Sequence, residues 1–232
     1  MFLARKSTGM CRVPRVFSWV VYTRGMFDLG LRGIGVILVS ILLSMGLHEA
    51  MHAFAAHALG DTTAKDAGRL TLNPLKHVDI LTTVLLPLVL IILHQPPIFV
   101  ARPVPFDPDR VRFGEYGAAL VGLAGPFTNF ILAVLAAMLV RFMIPAGSLA
   151  DDLVIFTGVN LSFFVFNMIP LPPLDGSRLL YSVAPEPVQR VMYRLETAGF
   201  GVMIVILLVL SPFIVPLVSH MVNSIGTFLL PG

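Results

Sequence analysis

Three ionisable residues lie close together in an otherwise apolar part of the sequence. His48, Glu49 and His52 form the motif HEAMH within an apolar stretch that runs from about residue 31 to residue 59. Positions four apart share a helix face, so the two imidazoles can bind one zinc ion, with Glu49 near enough to act as an acid or base. Ionisable groups at membrane depth are costly and mark functional sites. The motif predicts a hydrolytic zinc site, with a packed structural histidine pair as the alternative.

A second polar group follows a later apolar segment, in the run NMIPLPPLDG at residues 167–176. Its three prolines cannot continue a helix, and irregular backbone at membrane depth survives only where it is buried in protein or lines a cavity. Asp175 is therefore expected on a loop beside a polar interior. Its carboxylate can be a third protein ligand and leave a fourth position open, as in catalytic zinc sites. The alternative role is an N-cap for the segment after Gly176, and the two roles are compatible.

A third motif, GLAGPFTN at residues 122–129, lies between these two. Its small residues allow helices to approach closely, and its proline frees backbone groups that neighbouring helices or water must satisfy. Asn129 is an amide in an apolar helix. It either joins helices or hydrogen-bonds a substrate backbone or the water around the metal, and the sequence leaves both roles open.

The elements that hold these residues belong in a lipid bilayer. The 232 residues are 56% hydrophobic and 12% charged, with a mean hydropathy of +0.88, whereas soluble domains are about 25% charged. The net charge is only +3, and the basic residues concentrate in the N-terminal arm and in loops. The hydrophobic composition excludes a soluble domain, and the basic residues, which lie near the expected lipid headgroups, form no nucleic-acid-binding stripe. The single cysteine, Cys11, excludes an internal disulfide.

The apolar segments predict an all-α polytopic membrane protein. They lie at about 31–59, 80–94, 115–144, 153–171 and 198–219. We expect a basic N-terminal arm on the membrane surface at residues 1–30, a helical bundle with a three-helix catalytic core at 31–197, and a C-terminal transmembrane helix and tail at 198–232.

Two features of the region between the first and third segments depart from plain spanning helices. Residues 80–94 contain Pro87 and fall short of the roughly 20 residues that a span needs, so we expect a re-entrant segment. The stretches GRLTL and IFVARPVPF alternate enough to predict a small β-sheet at the membrane edge. We expect the edges around Leu70 or Val104 to bind an unwound substrate by strand addition.

Ligand geometry and loop charge predict different topologies. The histidines lie towards the end of the first span, so Asp175 must reach the same end, which requires that residues 80–94 do not cross. The loops at that end then contain nine Lys and Arg, and the N-terminal arm together with Arg32 contains six. A crossing segment would instead gather twelve on one side, as the positive-inside rule prefers. A crossing would also separate the ligands. We therefore expect re-entry, with the site towards the cytoplasm.

Taken in order, HEAMH, GRLTLNPLKHVD, GLAGPFTN and NMIPLPPLDG resemble the site-2 protease family of intramembrane zinc metalloproteases, in particular its small prokaryotic members without PDZ or CBS domains. The resemblance covers roughly residues 35–185. It implies that His48, His52 and Asp175 bind one zinc ion and that Glu49 is the catalytic acid and base. It also implies that two amides, Asn129 and Asn167, support the active site or bind substrate.

The same resemblance implies hydrolysis of peptide bonds within or near the transmembrane helices of single-pass substrates, in a prokaryotic cell membrane. Adaptor binding and homo-oligomer formation remain open. A metal transporter or an inactive scaffold are the alternatives. A transporter would place ionisable residues at several depths, or show inverted repeats, and an inactive scaffold would be expected to lose Glu49. The sequence shows neither feature, so it favours the protease.

Overall fold

The structure is a computed structural model, and it describes residues 30–92, 101, 104–144 and 146–230. The predicted arm at residues 1–30 therefore lies outside the described residues, except for Gly30. Eight α-helices are present in the described part: α1 Gly30–Ala58, α2 Thr63–Asp66, α3 Leu86–Ile92, α4 Glu115–Phe142, α5 Ser148–Asn167, α6 Gly176–Val183, α7 Glu186–Thr197 and α8 Phe200–Leu229. Pro74–Lys76 and Pro108–Arg110 form 3-10 turns, and π-helical Ile80–Leu85 precedes α3.

Four of these helices are long and apolar enough to cross a membrane. They are α1, α4, α5 and, from Gly201, α8. The 29 residues of α1 extend about 44 Å, more than the roughly 30 Å of a bilayer's hydrocarbon core. The chain is a multi-pass, mainly helical membrane protein, as the composition predicts. The boundaries of the three predicted sequence regions stay a prediction.

Helices α1 and α4 run in opposite directions. On α4, the carbonyl of Val121 contacts His52, and Asn129, two turns further on, contacts the carbonyl of Ser44. The residue numbers thus increase along α4 while they decrease along α1. Small side chains on α4 allow this close approach, and its buried face includes Gly122, Gly125 and several alanines.

Helices α1 and α5 run in the same direction. Arg32 in the first turn of α1 forms an ion pair of 2.7 Å with Asp152 in the first turns of α5. At the opposite end, the histidines of α1 meet the loop that follows α5. The parallel arrangement that the predicted ligand set requires is therefore present.

The chain between α1 and α4 starts and finishes at one end of the bundle. The backbone N–H of Arg112 donates to the carbonyl of Leu59 at 2.9 Å, which ties the two ends of this connection together. A single crossing by Ile80–Ile92 would place them on opposite sides. These residues, a π-helical part of six and an α-helical part of seven, reach about 20 Å if helical, short of a span. Both ends of this connection therefore lie at one end of the bundle, and re-entry of residues 80–94 stays a prediction.

The predicted β-sheet is not found, since none of the described residues forms a strand. In GRLTL, residues 68–72, the backbone turns instead: Gly68 has φ +66°, Arg69 N–H donates to the carbonyl of Ala64, and Thr71 N–H donates to the carbonyl of Arg69. The strand expectation for this stretch was wrong because local turns use those backbone groups. The other stretch, residues 98–106, lies largely outside the described residues.

Helix α4 lies at the centre of the bundle and packs against α1, α5, α6 and α8. On its C-terminal half, Ala133 belongs to an apolar cluster with buried residues of α5 and α8, among them Leu161, Val165, Val218 and Val222. The N-terminal half faces the histidines of α1. One half of α4 therefore holds the bundle together while the other half forms the wall of the polar site.

Candidate active site

Three predicted ligands converge at the C-terminal part of α1. Nε2 of His48 lies 3.0 Å from Oδ2 of Asp175, and Nε2 of His52 lies 3.4 Å from Oδ1 of the same carboxylate. A ligand atom from each residue lies within 4.8 Å of the other two, so the group could hold one metal ion. The side chain of His48 is 7% exposed, that of His52 12% and that of Asp175 23%. The loop after α5 therefore brings Asp175 to residues more than 120 positions earlier in the chain.

The second nitrogen of each imidazole has a partner that sets the ring's tautomer. Nδ1 of His48 lies 2.6 Å from Oδ1 of Asn129, and Nδ1 of His52 lies 2.7 Å from the carbonyl oxygen of Val121. Both partners are oxygens that only accept, so Nδ1 is the protonated nitrogen of each ring. Each Nε2 is left to face Asp175, as a metal-binding imidazole requires.

Gly125 of α4 leaves the space in front of these nitrogens. A Cβ at this position would lie 2.4 Å from Nε2 of His52 and 2.6 Å from Nε2 of His48, closer than real Cβ contacts come. Any other residue would therefore occupy the room that an ion needs. Two imidazoles and one carboxylate form a donor set typical of catalytic zinc with an open position. The residues present fit a zinc ion.

The loop that carries Asp175 satisfies its own backbone through successive turns. The N–H of Leu174 donates to the carbonyl of Leu171, and the N–H of Ser177 donates to the carbonyl of Leu174. Asp175 occupies the N-cap position of α6, but its side chain makes no capping hydrogen bond. The alternative capping role is thus not the one observed, because the carboxylate faces the histidines instead.

Glu49, next to His48 in the motif, contacts a backbone segment through its carboxylate. Its Oε2 accepts a hydrogen bond of 3.2 Å from the backbone N–H of Val104. The Val104 side chain is buried and packs with Ala53 and Ala64. Residues 104–107 therefore lie across the site end of α1 and touch the candidate acid and base directly.

Asp61 anchors the same segment beyond the end of α1. Its carboxylate accepts hydrogen bonds from the backbone N–H of Asp107, at 2.8 Å, and from the N–H and hydroxyl of Thr63. Burial opposes the charged form, but these hydrogen bonds outweigh it and hold the pKa of the Asp61 carboxyl below its usual value. Segment 104–107 is thus fixed at both ends, by Glu49 and by Asp61.

The two predicted amides have different surroundings. Asn129 is fully buried and joins the helices while also contacting His48, so its helix-joining role is present. The other role left open, binding a substrate backbone or the water around the metal, stays a prediction. Asn167 donates to the carbonyl of Phe163 in its own helix at 3.0 Å. No contact described for Asn167 reaches the histidine and aspartate group, and its predicted role stays a prediction.

Sequence reasoning overlooked Asn160 of α5. This fully buried side chain accepts a hydrogen bond of 3.0 Å from the amide of Asn129. The available signal was the same as for Asn129, an amide within an apolar helix. The contacts of the Val104 N–H with Glu49 and of the Val121 carbonyl with His52 were not predicted, because they are backbone contacts, for which residue type gives no signal.

Other polar residues near the site have structural partners. Asp79 accepts from the backbone N–H groups of Leu81 and Thr82 and so caps the short helical segment that follows. His77 is fully buried, with Nε2 3.1 Å from the carbonyl of Thr71. This contact orders the loop between Thr71 and His77.

The fold and the trio together define a class, a multi-pass membrane protein with a candidate hydrolytic metal centre at one end of its helices. Comparison with known proteins then identifies the family. The chain is 34% identical over 198 residues to "Putative zinc metalloprotease YwhC" of Bacillus subtilis, covering 79% of this chain and 82% of that protein. It is 33% identical over 185 residues to "Putative zinc metalloprotease Rip2" of Mycolicibacterium smegmatis, covering 75% and 68% respectively.

A third relative is "Putative zinc metalloprotease Rip2" of Mycobacterium tuberculosis, 30% identical over 210 residues, or 88% of this chain and 78% of that protein. The chain belongs to this family of zinc metalloproteases, which confirms the resemblance drawn from its motifs. No family model matches the chain, and no solved structure matches it.

Proposed function

We propose that this protein is an intramembrane zinc metalloprotease that hydrolyses peptide bonds within or near the transmembrane helices of single-pass proteins. The observation that carries the proposal is the convergence of both HEAMH histidines and Asp175 inside an apolar bundle. The relatives' names support the metal and the reaction class. Regulated intramembrane proteolysis in a prokaryotic cell membrane is the setting that we infer.

In the proposed site, His48 and His52 bind one zinc ion through Nε2, and Asp175 binds it through its carboxylate. When bound, zinc supplies a Lewis acid that polarises the scissile carbonyl and lowers the pKa of water. The hydrogen bonds to Asn129 and to the Val121 carbonyl hold both rings in the required orientation.

Glu49 is the proposed acid and base. Its carboxylate takes a proton from the attacking water and then gives it to the amine that leaves. The contact with the Val104 N–H supports this assignment, because it shows a peptide N–H within hydrogen-bond reach of the carboxylate. A leaving amine presents the same kind of donor.

The substrate must first unwind, since an intact helix shields its peptide groups. We propose that segment 104–107 holds the unwound substrate against the site through main-chain hydrogen bonds, which bind with little sequence preference. Its attachment to Glu49 and Asp61 supports a fixed docking position. Among the described residues, neither GRLTL nor segment 104–107 forms a strand, and the edge at Leu70 is no longer part of this proposal because local turns use its backbone groups.

We also propose that the site faces the cytoplasm. The loops at the site end, residues 60–79, 95–114 and 172–197, contain nine Lys and Arg, and basic loops favour the cytoplasmic side. An adaptor protein or a second copy of the chain are further proposed partners.

The test uses purified protein reconstituted in liposomes with a single-pass helical substrate. Wild type should release product, a zinc chelator should stop the release, and added zinc should restore it. Glu49→Gln should lower the rate by about 10²-fold to 10⁴-fold, the usual contribution of a positioned acid and base, while zinc remains bound. Equal product from wild type and variant would refute the proposal.

A further inference from the structure

We propose that Asn160 is a positioning residue: its buried amide, placed between the Phe156 carbonyl and Asn129, fixes the Asn129 side chain and thereby keeps His48 in the tautomer that binds metal. The inference rests on the proposed zinc site. It concerns a residue on α5 that is separated from the proposed ion position by the side chains of Asn129 and His48.

The relay begins at a group whose hydrogen-bond direction cannot change. The carbonyl oxygen of Phe156 only accepts, and the NH₂ group of Asn160 donates to it at 2.9 Å. This bond determines which end of the Asn160 amide points back along its own helix. Oδ1 of Asn160 is therefore the atom that faces α4.

The second step passes from α5 to α4. Oδ1 of Asn160 accepts a hydrogen bond of 3.0 Å from the NH₂ group of Asn129, and the carbonyl of Ser44 accepts a second one at 3.2 Å. Both amide hydrogens of Asn129 thus face oxygens. If the amide turned over, its oxygen would meet two other oxygens without a proton between them, so this orientation is strongly disfavoured.

The third step reaches the candidate ligand. With its NH₂ group held by Asn160 and Ser44, Asn129 must present Oδ1 to Nδ1 of His48, at 2.6 Å. The proton then resides on Nδ1, and Nε2 keeps the lone pair that faces Asp175. A turned Asn129 would donate to Nδ1 instead and would place the proton on Nε2, where it blocks metal binding.

Burial makes this relay decisive. Asn129 and Asn160 both have 0% exposed surface, so bulk water cannot replace a lost partner. Three helices each supply a part: Ser44 and His48 from α1, Asn129 from α4, and Asn160 from α5. The packing of these three helices therefore determines which nitrogen of the His48 imidazole carries the proton.

The experiment compares three substitutions on α5 in full-length protein. Asn160→Leu removes the acceptor for Asn129. Asn160→Asp keeps it, because a protonated carboxyl can donate to the Phe156 carbonyl and accept from Asn129 with its other oxygen. Thr157→Val is the matched control, since Thr157 is equally buried one turn away and its hydroxyl donates to the carbonyl of Leu153 in its own helix.

Two measurements are made that do not depend on cleavage. Competition with a chelator gives the zinc affinity, and ¹⁵N spectra of metal-free protein that also carries Asp175→Ala, which removes the carboxylate facing Nε2, give the tautomer of His48. We expect Asn160→Leu to weaken zinc binding about 10-fold to 100-fold, as for other residues that support metal ligands, and to move the imidazole proton towards Nε2. Asn160→Asp should restore most of both properties, and Thr157→Val should change neither.

Unchanged affinity and an unchanged tautomer in Asn160→Leu would overturn the inference, as would an equal loss in Thr157→Val. If leucine prevents folding, Asn160→Ala provides the same comparison. Failure of the proposed function is distinguishable: a protein that binds zinc through this relay but cleaves no substrate contradicts the protease, whereas an active protease indifferent to Asn160→Leu contradicts the relay.

Discussion

At the scale of single residues, the site depends as much on an absent side chain as on the ligands. Gly125 leaves open the space where a Cβ would contact Nε2 of both histidines. A ligand set can be complete in sequence and still bind nothing if the opposite helix occupies the ion's position. The motif GLAGPFTN therefore contributes to the metal site through its glycine as well as through Asn129.

We predict that Gly125→Ala lowers zinc affinity at least about 10-fold, a loss typical of disturbed metal surroundings. The added methyl group would occupy the space beside both imidazoles. The measurement is zinc binding in competition with a chelator. Gly35→Ala is the matched control, because a Cβ on this α1 glycine meets nothing within 4 Å; equal losses in both variants would contradict the argument.

We also predict a pH-dependent role for Asp61. Its lowered pKa means that ionisation stabilises the fold, so this stabilisation is complete above the unfolded value of about 3.9 and disappears as the pH falls through the folded value. Asp61→Asn loses an acceptor for a buried N–H and should cost about 1–3 kcal/mol at pH 7.

Thermal unfolding of both proteins between pH 7 and pH 3 checks this prediction. The difference in melting temperature should narrow in acid, as the wild-type carboxyl is protonated. A difference that stays constant over the whole range would show that the charge of Asp61 does not matter.

The chemistry-bearing residues could be predicted because each carries a local signal: spacing four apart for the histidines, a proline-rich break before Asp175, and polarity in apolar surroundings. Asn160 carries a signal of the same kind. Its importance depends on which amide faces it across two helices, however, and that is a property of packing that no local pattern encodes.

At the scale of elements, the connection between α1 and α4 differs most from expectation. Alternating polarity in GRLTL suggested a strand, but a glycine at positive φ and two tight backbone hydrogen bonds turn the chain there. Strand propensity depends on a neighbouring strand, which a short sequence cannot show. The short Ile80–Ile92 segment was predictable because its length is a local property.

We predict that Val104→Pro lowers the cleavage rate while zinc binding stays intact, since proline has no N–H to donate to Glu49. Pro105 already restricts residue 104 to extended backbone, which proline accepts. Val104→Ala keeps the N–H and is the control. Rates and zinc content of both variants provide the measurement, and full activity of Val104→Pro would exclude a role for this contact.

At the scale of the whole molecule, the candidate centre joins segments that are far apart in the chain. The ligand atoms come from α1 and from the loop after α5, with α4 between them in sequence. The parallel direction of α1 and α5 could be deduced from the sequence, because the ligands cannot otherwise meet. The relative rotation of the helices could not, since it depends on how their small residues interlock.

We predict that zinc raises the unfolding temperature of the wild type, because an ion that binds only the folded state stabilises it by about 2.7 kcal/mol at a hundredfold excess over Kd. Asp175→Ala should lose most of this increase, and Glu49→Gln should keep it. Thermal unfolding with and without a chelator gives both values. An equal increase in all three proteins would place the stabilising ion elsewhere.

The ion pair between Arg32 and Asp152 has a mechanical consequence. Together with the packing between α1 and α5, it joins the two helices at the end remote from the histidines, so a change at the metal site would leave their separation at this end unchanged. Removing zinc would release only the other end, where α1 and the loop after α5 carry the candidate ligands. Spin labels near residues 36 and 156 should then report constant separation, whereas labels near residues 55 and 170 should spread apart when a chelator is added.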